Sequence, residues 1–185
     1  ADKVAFLQER GGLPTPRIIV RAPMSTLTPW TTRAAFARQL DEAMERSGVT
    51  EGLQLVLDSV QGPYFQPAFD RLRRGGKVIV FGAASMTPAG PRPNWLSLAW
   101  QWLWRPMVDP LNIIAANKGV EGFNLIWMWD KGDEMSAMLR ELTESVDWRP
   151  PHVGRVFGFL EAPDAMAFLQ SGRSVGKVVL RVGSS

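Results

Sequence analysis

The sequence predicts an α/β fold, a parallel sheet wound on both sides by helices. Two observations carry that prediction. Short apolar runs rich in β-branched residues, Ile18-Ile19-Val20, Leu53 to Leu57 and Val78-Ile79-Val80, alternate with longer stretches whose apolar residues recur at helical spacing. The runs are apolar at consecutive positions rather than at every second one, as strands covered on both faces must be. Right-handed crossovers follow from that arrangement.

Each element has its own reason. Val4 and Leu7, stopped by Gly11-Gly12, predict a short helix that begins at or before the first residue. Ile18-Ile19-Val20, set between Pro16 and Pro23, predicts a buried strand over Arg17 to Arg21. Phe36, Leu40, Ala43 and Met44 before Ser47-Gly48 predict an amphipathic helix from Thr32 to Arg46, with Thr31 or Thr32 as its cap. A strand from Leu53 to Leu57 ends at Asp58. Phe65, Ala68, Phe69 and Leu72 predict a helix closed by Gly75-Gly76, and Lys77 to Phe81 the next strand.

A Pro- and Trp-rich stretch from Ala84 to Asn117 interrupts the alternation. Gly119 to Trp127 predicts a further strand, and Met135, Met138, Leu139, Leu142 and Val146 form a helical stripe. Beyond His152 come a strand (Val153 to Phe159), a short helix (Pro163 to Gln170) and a strand (Lys177 to Val182). Pro150-Pro151 is the expected boundary, leaving residues 1–150 as a doubly wound region and 151–185 as a tail serving a second structural unit.

Composition narrows the chemistry. Forty-five per cent apolar content over 185 residues suits one globular core. With no cysteine, disulfides and thiolate metal sites are excluded, and the single histidine, His152, cannot build an imidazole cluster, so no metal site is expected. The formal charge of +3 is spread over scattered arginines such as Arg33, Arg38, Arg46, Arg71, Arg73 and Arg74. No basic stripe interleaved with aromatics points to nucleic acid. The stretch Trp95 to Ala116 is broken by Arg105, Pro106, Asp109 and Pro110, which argues against a spanning helix. The amino end carries no signal-peptide pattern, and a cytoplasmic location is the expectation.

In a sheet of this kind ligands sit at the carboxyl ends of the strands. Three segments occupy such places: Asp58-Ser59-Val60-Gln61-Gly62, Phe81-Gly82-Ala83-Ala84-Ser85 and Gly122-Phe123-Asn124-Leu125. The first reads equally as an ordinary strand-to-helix turn with Asp58 near the helix start. The second, rich in small residues, allows a planar ligand close to the backbone or makes a plain turn. In the third, Phe123 reads also as core. The dinucleotide fingerprint Gly-x-Gly-x-x-Gly is absent.

Taken in order, Lys3-Val4-Ala5-Phe6-Leu7-Gln8, Asp58 to Gly62, Gly75-Gly76-Lys77-Val78-Ile79-Val80-Phe81-Gly82-Ala83-Ala84-Ser85, Gly122 to Leu125 and Ser174-Val175-Gly176-Lys177-Val178-Val179-Leu180 resemble the medium-chain dehydrogenase/reductase superfamily. The likeness is greatest to its zinc-independent branch of quinone oxidoreductases, prostaglandin/alkenal reductases and VAT-1-like proteins. It implies an incomplete Rossmann-like domain, with the C-terminal strands belonging to a GroES-like substrate domain. It implies NADPH as cofactor, with Lys3 toward the 2′-phosphate, a group that a cation suits. Ser59, Val60, Ala83, Ser85, Phe123, Leu125, Ser174 and Lys177 would line the nicotinamide and its ribose.

The implied reaction is hydride transfer from NADPH to a quinone or an α,β-unsaturated carbonyl compound, a small-molecule electrophile. No acid, base or nucleophile is nominated, because Asp58, Glu121 and His152 each have a structural reading. The pattern matches only the C-terminal half of a usual member, so the missing amino-terminal half is an expected partner, together with self-association. The segment alone is expected to be inactive. Trp95, Trp100, Trp102 and Trp104 fall on several faces of any helix. They would cap the cofactor, pack on a second subunit, rest on a membrane surface or be buried by the missing half. The alternatives are a non-catalytic VAT-1-like scaffold or membrane-associated protein, and a doubly wound domain such as a methyltransferase. The tail from Pro151 argues against the last.

Overall fold

Three parallel strands hydrogen-bonded in the order β1-β2-β3 frame the first half of a computed structural model, which describes residues 2–21, 29–86, 94–145 and 150–183. The chain divides into two units. The first holds the described residues from 3 to 124 and the second those from 125 to 183. Pro150-Pro151 lies inside the second unit.

In the first unit β1 (Leu53–Asp58), β2 (Leu72–Val80) and β3 (Gly119–Gly122) run in register, so that Val56, Val78 and Val120 form one row across the sheet. Phe65 and Phe69 of α3 (Phe65–Asp70) stack at 6.0 Å over this row, and Leu72 and the fully buried Val78 complete the core. Ile113 of α5 (Pro110–Ala116) packs beside it. A Val/Phe row of this kind is what consecutive apolar strand residues were expected to make. On the opposite face Leu55 and Leu57 remain 49% and 64% exposed, and Lys77 pairs with Glu121 at 2.6 Å. The helical cover expected on both faces is therefore complete on one.

The helix α2 (Pro29–Arg46) rests on α3 and on the turn before it, with the Phe36 and Tyr64 rings edge to face at 5.1 Å. It starts three residues earlier than predicted. Pro29 takes the first position, where its missing N–H costs nothing, so Thr31 and Thr32 lie inside the first turn rather than capping it. The helix α1 (Asp2–Glu9) ends before Gly11-Gly12 as expected.

Several expected boundaries move. Ile18-Ile19-Val20 is not a strand: Ile18 is extended, but among the described residues no strand lies beside the segment to complete a ladder, and the Val20 carbonyl accepts from Gln39 Nε2 at 3.1 Å. Leu72 belongs to β2 and not to the preceding helix. The strand passes through Gly75-Gly76 by means of a bulge in which Gly75 has φ +76° and a Cβ on Gly76 would come within 2.7 Å of the Leu53 carbonyl. The strand β3 stops at Gly122, and Leu125–Trp127 forms a 3₁₀ turn. The Trp-rich stretch includes α4 (Trp95–Leu103) and α5, the latter capped by Asp109 Oδ1 accepting from the Leu111 N–H at 3.0 Å.

The second unit contains α6 (Gly132–Ser145) and a parallel pair, β4 (Val153–Gly158) and β5 (Lys177–Arg181), joined through α7 (Ala162–Gln170). Among its described residues Phe157 and Ala165 are the buried ones, with Phe168 against Phe157 at 6.0 Å and the Arg155 guanidinium over both rings. Gly154 is obligatory, since a Cβ would sit 1.8 Å from the Val175 carbonyl oxygen. Val146, expected in the α6 stripe, lies outside the described residues.

Candidate functional site

The carboxyl ends of β1 and β2 are fastened together by the chain's own polar groups. Asp58 Oδ1 accepts from the backbone N–H groups of Val60 and Gln61, each at 2.8 Å, which turns the chain sharply as it leaves the sheet. Gln61 Nε2 then donates to the Gly82 carbonyl at 3.0 Å. Three backbone bonds complete the fastening: Phe81 N–H to the Asp58 carbonyl (3.0 Å), Ala84 N–H to Ser59 (3.1 Å) and Ser85 N–H to Val60 (3.0 Å). From the third strand, Phe123 N–H reaches the Val80 carbonyl at 2.9 Å.

Side-chain size decides how closely these turns approach. A Cβ on Gly82 would stand 2.8 Å from the Ser59 carbonyl oxygen, and one on Gly62 3.0 Å from Ser85 Oγ. Gln61 itself holds φ +59° and ψ −149°, a conformation costly for a residue with a side chain. Asp58 and Ser85 are both buried, and Asp58 Oδ2 and Ser85 Oγ have no hydrogen-bond partner among the described residues. Buried polar atoms are ordinarily paired, so the two mark a place with unspent hydrogen-bonding capacity. Small residues, strain and unused polar atoms thus meet at one end of the sheet.

Of the residues expected to line a nicotinamide, Ser59, Val60, Ala83, Ser85 and Phe123 all lie in these turns, on the first unit. Lys3 is in the first turn of α1, exposed. Leu125 opens the second unit. Ser174, half-buried, precedes β5, and Lys177 begins it, its N–H on the His152 carbonyl at 2.7 Å. Among the described residues no group of three or more histidine, cysteine, aspartate or glutamate side chains could hold a metal ion.

The family model described as zinc-binding dehydrogenase matches residues 31–180. The chain belongs to that family. Among its relatives is the human synaptic vesicle membrane protein VAT-1 homolog, 30% identical over 135 residues, which are 72% of this chain and 34% of that protein. A mycobacterial protein solved in complex with NADPH is similar to it with a TM-score of 0.59 and 25% identity, over 98% of this chain and 47% of the other. The quinone oxidoreductase of Thermus thermophilus, solved alone and with NADPH, is 28% identical with a TM-score of 0.51, over 77% of this chain and 41% of its own. The chain spans about a third of the length of the curated relatives it matches.

A cleft of about 590 Å³ opens between the first turn of α2 and the end of α4, floored by Gln61-Gly62-Pro63, Gln66 and Ser85. Its aromatic wall is a chain of indoles: Trp30 meets Trp104 edge-on at 5.0 Å, and Trp104 meets Trp100 at 5.5 Å. The tryptophan clustering was visible in the sequence. That Trp30, some seventy residues upstream, joins the cluster was not, because only the tertiary fold brings α2 to α4.

Proposed function

We propose that the chain forms one wall of an NADPH-dependent oxidoreductase that delivers hydride to a quinone or an α,β-unsaturated carbonyl compound. The observation that carries this reading is the meeting of Ser59, Val60, Ala83, Ser85 and Phe123 at the carboxyl ends of three parallel strands, the ligand position of such sheets. Membership of the zinc-binding dehydrogenase family, and likeness to two proteins solved with NADPH, support it. The residues fit the cofactor in kind. Ala83 is exposed and small beside the place of a flat ring, and Asp58 Oδ2 and Ser85 Oγ keep unused hydrogen-bonding capacity.

When bound, the nicotinamide supplies the hydride. The turn after β1 and the turn after β2 hold and orient the ring, and their mutual hydrogen bonds keep them from yielding as it binds. Lys3 offers a cation to the 2′-phosphate, which favours NADPH over NADH. Leu125, Ser174 and Lys177 complete the expected lining, and residues 151–185 return the chain to a substrate-binding domain. The other half of the protein and a second copy are its expected partners, and the cytoplasm its expected location.

NADPH binding and NADPH consumption by the complete protein, offered quinones and enones, test the reading. Saturable binding with substrate-dependent oxidation is expected, and neither one occurring would end it. A second reading, a membrane-associated scaffold that keeps the fold, is favoured by the exposed indoles of Trp95 and Trp102 on α4. Among the described residues no helix is long and apolar enough to cross a membrane, so such contact would be peripheral. Co-sedimentation with phosphatidylcholine and phosphatidylserine vesicles, in the absence of NADPH turnover, would replace the first reading with the second.

A further inference from the structure

We infer that the cleft between α2 and α4 is a binding site for a flat apolar organic anion, an aromatic carboxylate, bordering the cofactor turns. Its volume, about 590 Å³, lies within the range of small-molecule sites, and its walls have the usual make-up of such sites, mostly apolar with a few polar groups. Trp30, Trp100 and Trp104 present indole surface, and Pro29, Pro63 and Pro106 add apolar surface. Surfaces of this kind favour a planar guest over a flexible one, since stacking adds to simple burial.

Charge selects the sign. Among the described residues, the ionisable ones lining the cleft are Arg33 and Arg105, with no carboxylate. Arg105 is engaged by the end of α4, lying over the Trp102 ring at 4.0 Å and donating to the Trp102 carbonyl at 2.8 Å. Arg33 has no ion-pair or hydrogen-bond partner among the described residues. It projects from the amino-terminal end of an 18-residue helix with no acidic residue in its first turn, so the helix dipole adds to its positive field. The cleft floor also carries Ser85, about nine-tenths buried and with its hydroxyl unpartnered, a residue that the cleft shares with the turn after β2.

The cleft borders the turns assigned to NADPH at Gln61, Gly62 and Ser85, but Ser59, Val60, Ala83 and Phe123 do not line it. The inference does not rest on the reductase reading, and its test runs without NADPH. The full chain is titrated with 2-naphthoate by calorimetry, beside the neutral 2-naphthamide and the cationic 2-naphthylmethylammonium. One saturable site is expected for the carboxylate, with both analogues weaker, and Arg33→Gln is expected to weaken 2-naphthoate roughly tenfold. Arg33 is exposed, so this variant keeps the fold, and an unchanged melting temperature verifies it. Absence of saturable binding, equal affinity for the neutral amide or indifference to Arg33→Gln would each overturn the proposal.

Discussion

Asp58 shows how one side chain can set the shape of a strand end. Its Oδ1 ties two successive N–H groups, and loss of both bonds in Asp58→Ala should cost about 2 kcal/mol, read as a lowered melting temperature. At Gly82 the constraint is space. A methyl group there meets the Ser59 backbone, which cannot swing aside as a side chain could, so Gly82→Ala should push the two turns apart. The expected result in the complete protein is NADPH affinity lowered by more than the loss of fold stability accounts for, measured by titration beside a melting curve. Lys3 belongs to the same scale. Lys3→Ala should weaken NADPH by roughly tenfold and leave NADH unchanged, since the two differ only in the 2′-phosphate. Equal loss for both cofactors would remove Lys3 from that role.

At the scale of elements, the join between α2 and the entry to β2 depends on one ion pair. The Arg71 guanidinium takes both oxygens of Asp41 at 2.5 Å and also donates to the Pro67 carbonyl at 3.0 Å. Hydrogen bonding to Arg71 holds the Asp41 carboxyl below its ordinary 3.8. The pair therefore contributes fully above that value, and its contribution is lost as the pH falls through the depressed one. Because Asp41 is largely exposed, Asp41→Asn should cost no more than about 1 kcal/mol at neutral pH, and the difference from the unaltered chain should vanish in acid. Elements also show what the sequence could disclose. The apolar run ending at Asp58 reads directly as β1, and the Phe65/Phe69 spacing as a helix. Leu72 misleads because a helical repeat and a strand start look alike there, and the bulge at Gly75-Gly76 that extends β2 answers to a neighbour, Leu53, nineteen residues before Leu72. Ile18-Ile19-Val20 has a strand's composition, but pairing is a property of two segments and cannot be read from one.

Across the whole molecule, each unit carries its own core, one around Val78 and one around Phe157. Val78→Ala should cost about 2 to 3 kcal/mol through the cavity it leaves in the first unit. Hydrogen exchange should then quicken in β1 to β3 while β4 and β5 keep their protection; uniform acceleration would mean a single cooperative core. The strand-end turns were legible because they are continuous in sequence. The cleft was not, because its walls come from residues 29–33, 61–66, 85–86 and 100–107. That mosaic construction has an optical consequence. Two indoles 5.0 Å apart and inclined at 75° share their electronic excitation, so the Trp30–Trp104 contact should add to the exciton couplet in the circular dichroism, and Trp30→Phe should weaken the couplet to what the Trp100–Trp104 contact alone supplies. The cleft thereby reports on itself: a guest that shifts either ring changes the couplet, and occupancy can be followed without any label.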